Sequence, residues 1–175
     1  KILDKYLPKL SEETVVVIAS KIIAITQGNV VKNDGKIDKK RLIIDEADLY
    51  IDQDSDYGVV LPTIKNNILL ANSGVDESNA GGFFVLWPKN LDGTTVKVWD
   101  YLRKKNKIKK LGILITDSRL APLTFGLTGM AISWCGFEPN QDYRGKPDVF
   151  RRELRMSQKS IINGLAAAAE VVMGE

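Results

Sequence analysis

Histidine is absent from this 175-residue sequence, and its absence removes several kinds of chemistry at once. Without imidazole the chain cannot build a Ser-His-Asp triad, a Cys-His nucleophile pair or a histidine-ligated metal site. Cysteine occurs once, as Cys135, so no disulfide can form within the chain. A lone cysteine in an apolar run is usually a small core residue, and such cysteine usage indicates a reducing, cytoplasmic setting.

Long apolar runs and strong charge of either sign are also missing. No apolar segment approaches the ~20 residues of a membrane span, and the first residues do not begin a signal peptide. The net charge of +3 is too small to indicate a nucleic-acid partner. Much of the excess lies in the basic run at residues 103–110, which follows a helical pattern and is better explained as a solvated helix end. We therefore expect neither a membrane nor a nucleic acid as partner.

Polar residues framed by glycines form the most distinctive stretch of the chain, residues 74–82. It places Asp76, Glu77, Ser78 and Asn79 side by side between two apolar runs. A second polar cluster, residues 116–119, also follows an apolar run. Two acidic loops at the ends of buried strands would bring Asp76 and Asp117 together as an all-oxygen site for a hard divalent cation. Two solvated turns remain the alternative, because Asp and Asn are common turn formers.

Ser20 and Lys21 follow directly after a β-branched run, residues 14–19. That run is typical of a strand buried on both faces. A hydroxyl and an ammonium at the end of such a strand suit a phosphate, although Lys21 could equally be an ordinary edge lysine. The sequence lacks both the Walker A pattern and the dinucleotide fingerprint. Any nucleotide site must therefore be of another kind.

Strand and helix patterns alternate without a regular βαβ repeat, which predicts an α+β fold in one domain over residues 1–175. Both ends look cut, so we expect the chain to be part of a longer protein. The turn residues Asn66 and Asn67 predict a hairpin with a type I′ turn. The predicted strands are 14–19, 58–64, 68–70, 83–87, 111–115 and 126–134, and the predicted helices are 2–10, 38–50, 94–105, 149–155 and 157–172, the last capped by Ser157.

Six ordered blocks that span nearly the whole chain resemble a known family. They are Ala19-Ser20-Lys21-Ile22-Ile23 with Gln27-Gly28, Gly74-Val75-Asp76-Glu77-Ser78-Asn79, Thr116-Asp117-Ser118, residues 126–132, residues 142–148 and residues 165–175. The sequence is similar to the coenzyme F420-0:L-glutamate ligases, or γ-glutamyl ligases, and most similar to bacterial members assigned to folate metabolism. The resemblance implies an α+β fold of mixed and antiparallel sheets with helices, built as two interleaved lobes, and an intertwined homodimer.

The resemblance also implies an activity and a set of site residues. Members use GTP and Mg²⁺ or Mn²⁺, with K⁺ as a further candidate ion, to join L-glutamate by an amide bond to a carboxylate acceptor such as F420-0 or a folate. The reaction passes through an acyl phosphate. By motif, Asp76 and Asp117 correspond to metal ligands, as do Ser118 and Glu175 for a second metal. Ser20, Lys21 and Asn79 correspond to nucleotide contacts.

Three positions depart from the family pattern, namely Ile25 for a lysine, Leu127 for a glutamine and Asn163 for an aspartate. Two alternatives therefore stand beside the ligase: a nucleotide-binding homologue with lost or diverted catalysis, and a dimerising structural domain without a ligand. We expect part of the aromatic surface to be buried in a two-fold dimer, namely Phe83, Phe84, Trp134 and Phe137.

Overall fold

The computed structural model describes residues 2–53, 56, 58–120 and 125–174. The helices within these residues are α1 (Ile2–Tyr6), α2 (Ser20–Thr26), α3 (Lys39–Glu46), α4 (Leu91–Asn106) and α5 (Ile161–Met173). The strands are β1 (Thr14–Ala19), β2 (Val30–Lys32), β3 (Leu49–Tyr50), β4 (Pro62–Lys65), β5 (Ile68–Ala71), β6 (Phe83–Val85), β7 (Leu111–Leu120), β8 (Leu127–Cys135), β9 (Asn140–Asp142) and β10 (Gln158–Ser160).

These strands form four small sheets, with the orders β1-β7-β8, β9-β10, β2-β6 and β3-β4-β5. The mixture of short sheets and helices confirms the predicted α+β class. The chain forms two compact units, each built from separated segments. The first unit comprises Lys1–Ile18, Leu91–Thr116 and Gly129–Glu175, and the second comprises Ala19–Asn90 and Asp117–Thr128.

In the first unit, α5 packs on the sheet through Ile162 and Ala166, which form a buried cluster with Leu114. Gly129 permits this contact, since a Cβ there would lie 2.5 Å from the carbonyl oxygen of Ala166. The Ser160 side chain, rather than that of Ser157, caps the helix by accepting a hydrogen bond from the backbone of Asn163. The residues directly before α5 form the strand β10, because they pair with β9.

The predicted helix at residues 149–155 is wrong. Asp148 Oδ1 accepts hydrogen bonds from the backbone N–H groups of Phe150 and Arg152, each 2.8 Å long. Arg151 has a φ of 63°, outside the helical region. An aspartate that bonds to nearby backbone groups competes with helix formation, and it outweighs the apolar spacing here. The basic run does end a helix as predicted, since Arg103, Lys104 and Lys105 lie in the last turn of α4.

In the second unit, the β4–β5 hairpin turns through Asn66 and Asn67, both with positive φ, which fits the predicted type I′ turn. The core beneath it contains Ile43 of α3 and Phe84 of β6, with Leu61 and Val75. Phe84 is only 2% exposed, so its predicted place on a dimer surface is wrong. The helix α3 begins after its cap, Asp38, and ends at Glu46, and the two residues predicted as its end form β3 instead.

The polar stretch at residues 74–82 is attached to this core from both sides. On one side Ser73 is fully buried, its N–H donating to Thr63 Oγ1 (2.7 Å) and its hydroxyl donating to the carbonyl of Ile43 (3.0 Å). On the other side Asp76 and Val85 exchange two backbone hydrogen bonds, of 3.0 and 2.7 Å. The backbone of Asp76 is therefore held in the sheet, and its position does not depend on its side chain.

No helix in the described part of the chain has the length and apolarity that crossing a bilayer would require.

We expect Gly74→Ala to destabilise the second unit more than Gly82→Ala. Both glycines have positive φ, 71° and 86°, so each substitution costs about 1 kcal/mol in backbone strain. A Cβ on Gly74 would also lie 2.5 Å from Cε3 of Trp87, whereas a Cβ on Gly82 meets open space. Overpacking against a buried ring adds about 1–3 kcal/mol. Urea unfolding of both variants measures the difference, and equal losses would contradict the contact with Trp87.

Candidate functional site

The polar residues predicted as a loop at positions 116–119 instead continue the strand β7. Because side chains alternate along a strand, Asp117 and Arg119 share one face and Ser118 faces the other way. The exposure pattern agrees, since Asp117 and Arg119 are half-buried whereas Ser118 is exposed. Sequence patterning missed this extension because polar residues after an apolar run are typical of a strand end.

Lys21, at the start of α2, contacts the polar stretch. Its Nζ lies 2.6 Å from Asp76 Oδ2, and it donates hydrogen bonds to Ser78 Oγ (3.0 Å) and to the Ser78 carbonyl (2.9 Å). Ser78 in turn donates its N–H to Asp76 Oδ1 (2.7 Å) and its hydroxyl to Asp76 Oδ2 (3.1 Å). The ammonium of Lys21 is therefore surrounded by three oxygen atoms, two of them from Ser78.

Asp117 lies close to the same group of residues. Ser20, the buried first residue of α2, hydrogen-bonds to its carboxylate, and the N–H of Ser118 donates to Oδ1 over 2.9 Å. Burial raises the pKa of Asp117 to about 6, and the negative charge of Asp76 adds to the rise, while Lys21 opposes it. The second unit thus brings together Ser20, Lys21, Asp76 and Asp117, which we call the acidic cluster.

The pKa of Asp76 is shifted in the opposite direction from that of Asp117. Burial favours its protonated form, but the hydrogen bonds from Lys21 and from both groups of Ser78 outweigh burial, so the pKa of Asp76 lies below its ordinary value. Asp76, held by the ammonium of Lys21, therefore stays ionised to lower pH than Asp117 does. Two neighbouring carboxyl groups with pKa values shifted apart are common where a protein binds a cation or performs chemistry.

The remaining predicted site residues are placed differently. Asn79 lies in the same stretch as Asp76, exposed and with a φ of 51°, a conformation that asparagine tolerates. Ser118 lies beside Asp117 in sequence, but strand alternation turns its side chain to the opposite face of β7. Glu175 falls outside the described residues. The roles assigned to these three residues therefore stay predictions.

The acidic cluster suits a hard divalent cation by the chemistry of its donors. Two carboxylates and neighbouring hydroxyl groups give an all-oxygen set, the kind that Mg²⁺ and Mn²⁺ prefer. A single ammonium, that of Lys21, lies against Asp76, and two carboxylates carry one more negative charge than it neutralises. No group of three or more acidic, cysteine or histidine side chains suitable for a metal occurs among the residues the structure describes. The cation would therefore keep places for substrate or water oxygens.

The three departures from the family pattern have different surroundings. Ile25 lies one helical turn after Lys21 on α2 and is 44% exposed, and Leu127 is 56% exposed at the start of β8. Asn163, in the first unit, accepts a hydrogen bond from the N–H of Ala131 over 3.0 Å. This bond ties α5 to β8, the last strand in its sheet's order, and an amide makes it as well as a carboxylate does.

Comparison with known proteins places the whole chain in one family. The family described as "F420-0:Gamma-glutamyl ligase" matches residues 2–175. The chain is similar to the coenzyme F420:L-glutamate ligase of Methanocaldococcus jannaschii, with 31% identity over 95% of this chain and 72% of that protein. It is also similar to the enzyme of the same name from Methanococcus maripaludis, with 30% identity over 100% of this chain and 75% of that protein.

We expect the metal-free protein to gain stability as the pH falls from 7 to 5. The pKa of Asp117 rises from 3.8 unfolded to about 6 folded, so the folded state binds the extra proton. This contribution is complete below pH ~4 and is lost as the pH rises through ~6. Between pH 7 and pH 5 the gain is about 1 kcal/mol. Asp76, with its lowered pKa, loses its contribution only at lower pH.

Urea unfolding in the presence of a chelator at both pH values measures this gain. Asp117→Asn should abolish it. Asp142→Asn is the matched control, because Arg144 holds the pKa of the exposed Asp142 at about 2, far below this range. A wild-type protein whose stability is equal at pH 5 and pH 7 would contradict the burial of the Asp117 charge.

Proposed function

Because the chain belongs to the F420-0:gamma-glutamyl ligase family, we propose that it is an enzyme that joins L-glutamate by an amide bond to a carboxylate acceptor, using GTP and Mg²⁺ or Mn²⁺. The relatives named above are coenzyme F420:L-glutamate ligases, which makes a deazaflavin the first acceptor to test and a folate the second. The observation that carries the proposal is the acidic cluster, where one lysine contacts one of two neighbouring carboxylates.

The reaction begins with activation of the acceptor, since an amine does not displace oxygen from a free carboxylate. The carboxylate takes the γ-phosphoryl group of GTP, which gives an acyl phosphate and GDP. The amino group of glutamate then attacks the acyl carbon, inorganic phosphate leaves, and the amine loses a proton. Phosphoryl transfer of this type depends mainly on positioning and on neutralising charge, which a site without histidine can provide.

Each member of the acidic cluster has a place in this scheme. Asp76 and Asp117 would hold the divalent cation, which neutralises charge on the phosphate oxygens when it is bound. Ser20 orients the Asp117 carboxylate through its hydroxyl. Lys21 contacts Asp76 and Ser78, and its ammonium would supply a further positive charge for the phosphate oxygens. Ser78 fixes both oxygens of Asp76, so that the carboxylate keeps one orientation.

We expect glutamate-dependent release of GDP and phosphate when the protein is mixed with F420-0, L-glutamate, GTP and Mn²⁺, and a product heavier by one glutamate residue by mass spectrometry. Asp117→Asn should abolish turnover, because an amide oxygen is a much weaker ligand than a carboxylate for a hard cation. The melting temperature without ligand should be unchanged or higher in this variant, and the stabilisation by GTP with Mn²⁺ should shrink sharply.

Three outcomes separate the proposed ligase from its alternatives. Stabilisation by GTP and Mn²⁺ without turnover on a deazaflavin or a folate would favour a nucleotide-binding homologue, which the exposed Ile25 in place of a lysine also favours. No stabilisation by any nucleotide would favour a structural domain. An unchanged nucleotide response in Asp117→Asn would remove Asp117 from the cation site.

We also propose that the chain forms a homodimer. Phe83 of the second unit is 38% exposed and Trp134 of the first unit is 43% exposed, more than large aromatic residues usually are. Sedimentation equilibrium should give a dimer at micromolar concentration, and Trp134→Glu should weaken it without unfolding the protomer, because the ring is not part of a core. A monomeric wild-type protein at that concentration would contradict the dimer.

A further inference from the structure

Three buried N–H groups have no hydrogen-bond partner among the residues the structure describes, namely those of Trp87 Nε1, Arg103 Nε and Arg119 Nε. Trp87 carries a neutral indole. The guanidinium of Arg103 lies over the ring of Trp99, 4.2 Å from its centroid, where the aromatic face attracts the cation. Arg119 has neither a ring contact nor an ion pair among the described residues. Its buried charged donor is therefore the one without a structural explanation.

Arg119 lies two residues after Asp117 on β7, in the same unit as the rest of the acidic cluster. Residues at i and i+2 of a strand project from the same face, with Cα atoms about 7 Å apart. The guanidinium and the Asp117 carboxylate therefore flank one patch of that face.

The nearby carboxylates do not take up the guanidinium. The Asp117 carboxylate is hydrogen-bonded by Ser20 and by the backbone N–H of Ser118. The Asp76 carboxylate is hydrogen-bonded by Lys21 and Ser78. Leaving a charged donor unpaired in a half-buried position lowers the stability of the folded chain, and functional sites are where such costs are retained.

We infer that the guanidinium of Arg119 binds an oxyanion of a substrate beside the acidic cluster, through its unpartnered Nε together with one terminal nitrogen. The side of a guanidinium offers two parallel N–H donors, which match the two oxygens of a carboxylate or of a phosphate. This inference rests on the proposed function, whose substrates carry both kinds of oxyanion. A cation held by Asp76 and Asp117 would neutralise one end of such a group, and Arg119 would bind the other.

The experiment compares wild-type protein with two variants. Arg119→Met keeps the apolar part of the side chain, and Arg119→Lys keeps the positive charge without the two parallel N–H donors of the guanidinium. Arg103→Met is the matched control, because it removes the other arginine whose buried Nε lacks a partner. Each protein is titrated calorimetrically in Mn²⁺ with GDP, with inorganic phosphate and with L-glutamate, and each is melted without ligand. GDP and phosphate report a phosphoryl oxyanion, and L-glutamate reports a carboxylate.

We expect Arg119→Met to bind at least one probe about tenfold more weakly or worse, as the loss of a charge-assisted hydrogen bond predicts. Arg119→Lys should bind that probe with intermediate affinity. Without ligand, Arg119→Met should melt no lower than wild type, because the substitution removes a buried donor that has neither a partner nor a ring contact among the described residues. Arg103→Met should melt lower, because it loses the contact of the guanidinium with the Trp99 ring, and it should bind every probe normally. Which probe is weakened identifies the source of the oxyanion.

The assignment is overturned if Arg119→Met binds every probe as tightly as wild type does. It is also overturned if the variant melts lower without ligand and binds normally, since that is the behaviour of a structural arginine. A wild-type protein that binds none of the three probes refutes the proposed function itself, which is a different result from normal binding by the variant.

Discussion

Two carboxylates that share a half-buried space repel each other, and the second unit of this chain is arranged around that repulsion. The ammonium of Lys21 compensates Asp76 directly, while Asp117 is left with hydrogen bonds from Ser20 and from a backbone N–H. Burial raises the pKa of Asp117, with a smaller contribution from the charge of Asp76, whereas the hydrogen bonds from Lys21 and Ser78 lower the pKa of Asp76. Stability alone does not require the second carboxylate, because a neutral group of the same shape in place of Asp117 would remove a buried charge next to Asp76. Retaining both is physically reasonable if a cation completes the arrangement.

The conformation of the backbone places Asp76 and Asp117 where they stand. Asn72, Ser73 and Gly74 all have positive φ, which turns the chain sharply out of β5 and then back toward β6. Such conformations cost free energy, and they persist here because Ser73 is fully buried and hydrogen-bonded at both its N–H and its hydroxyl. The two backbone bonds between Asp76 and Val85 then fix the main chain that carries the first carboxylate. The strand β7 fixes the second.

Local chemistry in the sequence predicted those elements whose structure is decided locally. The β-branched run at residues 14–19 forms β1, and two consecutive asparagines make the hairpin turn, because each needs only its own conformational preference. Elements whose structure depends on pairing with residues far away in the sequence could not be predicted. Residues 116–119 look like a loop but continue β7 beside other strands, and the residues before Ser160 pair with β9 instead of starting α5. The contact of Lys21 with Asp76 also left no signal in the sequence, since nothing in either neighbourhood specifies the other.

The backbone attachment of Asp76 has a consequence for how freely this stretch can vary over evolution. Since Asp76 is positioned by main-chain bonds to Val85, its neighbours need not pack to keep it in place. Position 77 is exposed, and its ion pair with Lys39 is of the surface kind that contributes little to stability. Position 79 is exposed too, but its φ of 51° favours asparagine, aspartate or glycine over other residues. Lineages can therefore exchange the side chain at position 77, next to Asp76, without rebuilding the fold, whereas position 79 is more restricted.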